Sequence, residues 1–141
     1  MTLGSMEGMG AATVRGEPTP FVAILKYDWT VPPLHANKKW KHWAPKAAMV
    51  KTVRRATQLL AARIPDLGKC EVTLTWIVTD RRVRDVDNLW PLVKACCDGL
   101  VDAGVAKDDR PEFMVKPAPI ILWVPKAEGP ARFELKVERI S

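Results

Sequence analysis

The chain has 141 residues, 48% of them apolar, and a formal net charge of +6. That length implies one domain with a modest core, and no apolar run approaches the roughly 18–20 residues of a membrane span. Three cysteines without C-x-x-C spacing exclude a disulfide framework and a zinc site, and two histidines, His35 and His42, argue against histidine-ligated metal or a Ser–His triad. Met1–Thr19 has no basic segment followed by an apolar one, so it does not read as a secretory signal. Its Gly, Ala, Thr, Glu and Pro content reads as a flexible tail ahead of a domain spanning 20–141. A cytoplasmic protein is expected, with Cys70, Cys96 and Cys97 as small apolar residues in a reducing compartment.

In chain order, Pro20–Tyr27 is a strand, with Phe21, Ala23, Leu25 and Tyr27 on one face at period two. Pro32 and Pro33 end it. Leu34–Trp43 is a loop in which lysines alternate with Trp40 and Trp43. Ala44–Arg63 is a helix opened by Pro45 in its first turn. Its buried stripe is Met49, Val53, Ala56 and Leu60, and Lys51, Arg54, Arg55 and Gln58 lie off it. Lys69–Thr79 is the clearest strand, with Val72, Leu74, Trp76 and Val78 alternating against threonines. A second helix follows Asp85–Asn88. Pro91 sits in its first turn, Leu92, Cys96 and Leu100 form its apolar stripe, and Gly104 takes the left-handed position at its end. Phe113–Val124 is β-rich, but Pro117 and Pro119 demote it to an edge or bulged strand. Arg132–Ile140 closes the chain as a strand with Phe133, Leu135 and Val137 inward. The expected fold is α+β: a single domain with a mixed β-sheet and two helices packed on it, in the order β-α-β-α-β-β.

Charge is unevenly distributed. Between Trp29 and Pro65 there is no acidic residue, while Lys38, Lys39, Lys41, Lys46, Lys51, Arg54, Arg55 and Arg63 all fall there. Acidic residues gather in Asp80–Asp109. Cations that hold phosphate, next to carboxylates that hold a metal, are what a nuclease needs, although a merely solvated basic surface would look the same in part. Asp85 and Asp87 point to one side if their segment is extended. Asp108 and Asp109 arrive one helix later, and whether they return beside Asp85 depends on tertiary packing. Converging carboxylates repel, and a divalent cation with hard oxygen ligands, such as Mg²⁺ or Mn²⁺, relieves that repulsion. Asp and Asn ahead of a helix are also ordinary caps.

The segment Arg84–Asp109, RDVDNLWPLVKACCDGLVDAGVAKDD, resembles the core signature of the RusA family of Holliday junction resolvases. Asp85, Asp87 and Asn88 match its D-x-D-N. Lys94 and Asp98 with Gly99-Leu100 match its helix, and Ala103-Gly104-Val105 with Asp108-Asp109 match its end. Leu89–Val93 lengthen the gap before the lysine, so Lys94 is aligned through its spacing to Asp98. Outside this segment the similarity is weaker, in Pro32, Pro33 and Asn37, a basic first helix and a final strand. The resemblance implies a Mg²⁺-dependent endodeoxyribonuclease, with Asp85, Asp87 and Asp109 holding the metal and Lys94 as catalytic lysine. Asn88 and Asp108 would stand behind them, and Asp98 reads as a structural partner. A plain i, i+4 ion pair of Lys94 with Asp98 is the alternative for the lysine.

Lys38, Lys39, Lys41, Lys51, Arg54, Arg55, Arg81, Arg82 and Arg84 are the expected DNA-binding residues. Trp40 and Trp43 either stack on unpaired bases or belong to the core. The resemblance further implies a homodimer on four-way junctions, cutting by paired symmetric nicks in recombination, repair or phage DNA processing, within a bacterial or phage-infected cell. Ile120–Val124 is a candidate interface or a piece of core. Two other readings stay open: a catalytically inactive branched-DNA-binding module, and a protein–protein adaptor without DNA affinity.

Overall fold

The computed structural model describes residues 5–10, as backbone alone, and residues 19–140. The fold is α+β, a mixed sheet with two helices packed on it. The strands are β1 (Ser5–Gly10), β2 (Phe21–Tyr27), β3 (Cys70–Val78), β4 (Met114–Val115), β5 (Ile120–Trp123) and β6 (Arg132–Arg139). Helix α1 is Trp43–Leu60 and helix α2 is Trp90–Asp102. The sheet runs β1-β2-β6-β3, and β4 and β5 both pair with β3. The pairs β1/β2, β2/β6 and β6/β3 are antiparallel, while β4 and β5 run parallel to β3. The parallel pairs follow from connectivity. A chain leaving β3 needs a crossover to come back in the same direction, and α2 supplies it.

Burial follows the alternation of the strands. Ala23, Leu25 and Tyr27 on β2, Val72, Leu74, Trp76 and Val78 on β3, and Phe133, Leu135 and Val137 on β6 are buried. In register, Leu74 faces Leu135 and Trp76 faces Phe133, whose rings stack 5.5 Å apart. The helices cover this face. Val53, Ala56 and Thr57 of α1 are buried, as are Leu92, Val93, Cys96, Cys97 and Leu100 of α2. The Tyr27 hydroxyl meets the Thr57 hydroxyl at 2.7 Å, which ties β2 to α1. All three cysteines are buried free thiols, and burial pushes Cys70 up to about 11 and Cys96 up to about 12.

Gly99 sets how closely the helices approach. A Cβ there would stand 2.6 Å from the Arg54 carbonyl oxygen and 2.7 Å from the Thr57 Cβ. Gly104 ends α2 with φ +82, and the Val105 N–H donates to the Leu100 carbonyl at 3.1 Å.

The structure departs from the sequence expectations in three places. The segment read as a flexible tail contains β1, which pairs with β2 from Ser5↔Lys26 to Gly10↔Phe21. The rest of that tail, 1–4 and 11–18, lies outside the described residues. The Phe113–Val124 run is two short strands, because Pro117 and Pro119 have no N–H to continue one ladder. Helix α1 starts one residue earlier than read and ends at Leu60, with Ala61 turning out of the helix. Among the described residues no helix is long and apolar enough to cross a membrane.

Candidate functional site

The site is built on the β3–α2 connection. Beyond β3, Asp80 organises a tight turn. Its Oδ1 accepts from the Arg82 N–H at 3.1 Å and from Arg84 Nη2 at 2.7 Å. Arg84 Nη1 also donates to the Asp80 and Arg82 carbonyls, and the guanidinium lies 4.9 Å over the Trp76 ring. The Arg82 N–H, then the Arg84 guanidinium, hold the Asp80 carboxyl below its ordinary range.

Asp85 and Asp87 come next, both exposed. Asp85 is extended and caps a short 3-10 turn, Val86–Leu89, its Oδ1 accepting from the Asp87 N–H at 3.0 Å. Asn88 acts through its backbone. Its carbonyl accepts from the Ala36 N–H at 3.0 Å, which docks the Leu34–Trp43 loop against the acidic turn.

Lys94 lies in the second turn of α2 with Pro91 one turn earlier. Its Nζ donates to Asp98 Oδ1 at 3.0 Å and to Asp109 Oδ2 at 2.5 Å. Lys116, between β4 and β5, donates to the same Asp109 oxygen at 3.3 Å. The Lys94 hydrogen bond, seconded by Lys116, lowers the Asp109 carboxyl to about 2 against the opposing effect of burial. The same two carboxylates raise Lys94 above its ordinary value. Asp108 turns inward on its own loop. Its Oδ1 accepts from the Asp109 N–H at 2.7 Å and its Oδ2 pairs with Arg110 at 2.9 Å.

Lys94 and Asp109 are thus brought together, and Asp98 is the structural partner expected of it. Asp85, Asp87 and Asp109 are not gathered into one cage. Among the described residues no group of three His, Cys, Asp or Glu side chains is placed to hold a metal ion. The reason is local. Two ammonium groups hold the Asp109 carboxylate, while Asp85 caps its own turn. The donor chemistry still suits a hard cation. Mg²⁺ is commonly held by one or two carboxylates, with water and substrate phosphate completing its shell, and the exposed Asp85/Asp87 turn offers two.

The basic residues separate into two groups. Lys38, Lys39, Lys41, Lys51, Arg55, Arg81 and Arg82 are exposed. Lys38 lies 4.2 Å over Trp40, and Arg81 lies 4.0 Å over Trp123. Arg54 and Arg84, expected on DNA, are engaged within the protein. Arg54 makes a bidentate pair with Asp102, at 3.0 and 2.8 Å, that clamps α1 to α2. The Arg84 side chain is only 16% exposed and fully committed to the Asp80 turn. The tryptophans also divide: Trp40 packs on the core and Trp43 is 82% exposed. Lys116 escaped the sequence reading. It lies outside the signature, and only the fold puts it against Asp109.

No protein-family model matches this chain, and no curated protein matches it at significance. Among solved structures it is similar to a chain in the crystal structure of a HypE–HypF complex, at 14% identity and a TM-score of 0.33. The match covers 83% of this chain and 32% of that one, so this chain spans about a third of its length.

Proposed function

We propose that the protein is a Mg²⁺-dependent endonuclease that cuts branched DNA, four-way junctions included, by paired symmetric nicks. The observation that carries this reading is the contact of Lys94 with Asp109 across 15 residues of sequence. The lysine and the last aspartate of the resembling signature meet in space, one helix on from the exposed Asp85/Asp87 turn.

In this reading Asp85 and Asp87 would hold the ion. Magnesium, or manganese in its place, would activate a water and stabilise charge on the phosphate. Lys94 keeps its proton because two carboxylates hold it, and its positive charge favours the developing phosphate charge. Asp109 stays ionised through the neutral range and orients that ammonium. Lys38, Lys39, Lys41, Lys51, Arg55, Arg81 and Arg82 neutralise flanking phosphates. A homodimer would match two sites to a two-fold substrate. We place this activity in the cytoplasm of a bacterial or phage-infected cell.

The test is Asp85→Asn on a labelled four-way junction. Loss of cutting with junction binding intact or tighter supports the reading. Unchanged cutting removes Asp85 from the site. A second reading, a branched-DNA-binding module that does not cut, is favoured by one observation: the three carboxylates are not gathered. It expects junction binding without nicks at any Mg²⁺ or Mn²⁺ concentration.

A further inference from the structure

Helix α1 carries a second stripe besides the one it buries. Trp43, Ala47 and Val50, four and then three residues apart, line one side of an open groove of about 680 Å³. Lys46, Lys51 and Arg55 line the same groove. The core takes Val53, Ala56 and Thr57 in full and packs against part of Val50, which leaves the exposed Trp43 as the apolar side chain of this stripe that the core does not use. Trp43 is 82% exposed at the start of the helix. An indole left this open is a surface for a flat ring.

The surrounding charge says which kind of ring. Arg54, on the groove wall, is neutralised by Asp102, whereas Lys46 and Lys51 stand exposed and Arg55 meets only the neutral Gln58 side chain at 2.9 Å. No acidic residue occurs between Trp29 and Pro65. The preceding loop repeats the pairing of cation and indole, with Lys38 over Trp40. Aromatic platforms interleaved with cations are how single strands are held, bases on the rings and phosphates on the charges. An acidic helical segment would need apolar pockets for anchors three and four residues apart. The groove instead offers one aromatic face, Trp43, with two aliphatic side chains, Ala47 and Val50, among cations.

We propose that this groove binds an unpaired DNA strand, with a base stacked on Trp43 over Ala47 and Val50 and its phosphates on Lys46, Lys51 and Arg55. The inference rests on the nucleic-acid reading above, and it names the part of a branched substrate that α1 holds: the single-stranded part.

The test titrates the full-length protein with a labelled oligothymidylate and with duplex of equal length, following anisotropy and tryptophan fluorescence. Oligothymidylate binds and quenches the fluorescence. Trp43→Ala weakens it by about tenfold, within the range of one base–aromatic stack. Trp43→Phe keeps most of the affinity and loses the quench. Replacing Lys46, Lys51 and Arg55 together by Ala lowers the salt dependence by about two ion equivalents. Trp43 is exposed, so its variants melt with the wild type. Oligothymidylate affinity that is unchanged in Trp43→Ala overturns the proposal. So does a quench produced by polyglutamate and not by oligothymidylate, which would assign the groove to an acidic protein segment. Junction cutting without Trp43-dependent oligothymidylate binding overturns the groove and leaves the nuclease reading intact. Trp43-dependent binding without cutting supports the groove and overturns the nuclease.

Discussion

The ammonium of Lys94 and the carboxylate of Asp109, 15 residues apart in the chain, lie 2.5 Å from each other across the end of the α2 crossover. Lys116 reaches the same oxygen from the far side of β4. An acid between two bases is held ionised, and a base between two acids is held protonated. Each member of this cluster sets the charge of the next.

Asp109 titrates accordingly. Its carboxyl is lowered to about 2 in the folded protein, against an ordinary value of about 3.9. A lowered carboxyl contributes stability above its unfolded value, and that contribution disappears as the pH falls through about 2. Carboxyl NMR should show Asp109 as the late-titrating aspartate, its midpoint moving up toward the ordinary value in Lys94→Gln. A midpoint unmoved by that substitution would mean that Lys94 is not its partner in solution.

Asp109→Asn should remove junction cutting, by about a hundredfold or more, and leave the fold intact. The substitution also removes the ion pairs of Asp109 with Lys94 and Lys116, so the melting temperature should fall while the chain stays folded. Cutting and junction binding, measured side by side, separate the catalytic effect from a structural one. Equal loss of both would assign Asp109 to the scaffold.

The two arginines of α1 should part company. Arg54→Ala breaks the clamp to Asp102 and should cost about 0.5–1 kcal/mol in urea unfolding, since the pair is partly exposed. It should not change the salt dependence of DNA binding. Arg55→Ala should leave stability alone and lower the salt slope by about one. The reverse pattern would put Arg54 on the DNA.

Gly99→Ala should destabilise the domain by about 1–3 kcal/mol, because the added methyl meets the Arg54 backbone and the helices must move apart. Urea unfolding measures this directly.

Much of this architecture was legible in the sequence because its causes are local. One buried sheet face forces period-two alternation, so β2, β3 and β6 and their inward residues could be read. Pro91 and Gly104 mark the ends of α2 by backbone chemistry alone. β1 was missed because Ser5–Gly10 carries two glycines and no β-branched residue. Its pairing with β2 is tertiary. The intramolecular pairing of Arg54 and Arg84 was not foreseen because a sequence displays charge and hides partners. The partner of Arg54 lies 48 residues away. The partner of Arg84, Asp80, stood four residues before it and could have been suspected. Motif resemblance singled out Lys94 and Asp109 separately, with Asp109 expected beside Asp85 and Asp87; its contacts with Lys94 and Lys116 come from the fold.

Strand β5 bears on assembly. Ile120, Leu122 and Trp123 are each more than 40% exposed on a strand whose assigned ladder partner is β3. If the proposed homodimer uses this edge, Leu122→Lys should convert it to monomer in sedimentation and lower paired nicking in favour of single nicks. A dimer that survives this substitution lies on another surface.

The central measurement is incubation of the purified protein with a labelled four-way junction, and separately with linear duplex, in the presence and absence of Mg²⁺. Symmetric paired nicks, confined to the junction and dependent on the ion, are the predicted result. An uncut junction that the protein nonetheless binds tightly, or duplex cut as readily as junction, would contradict it.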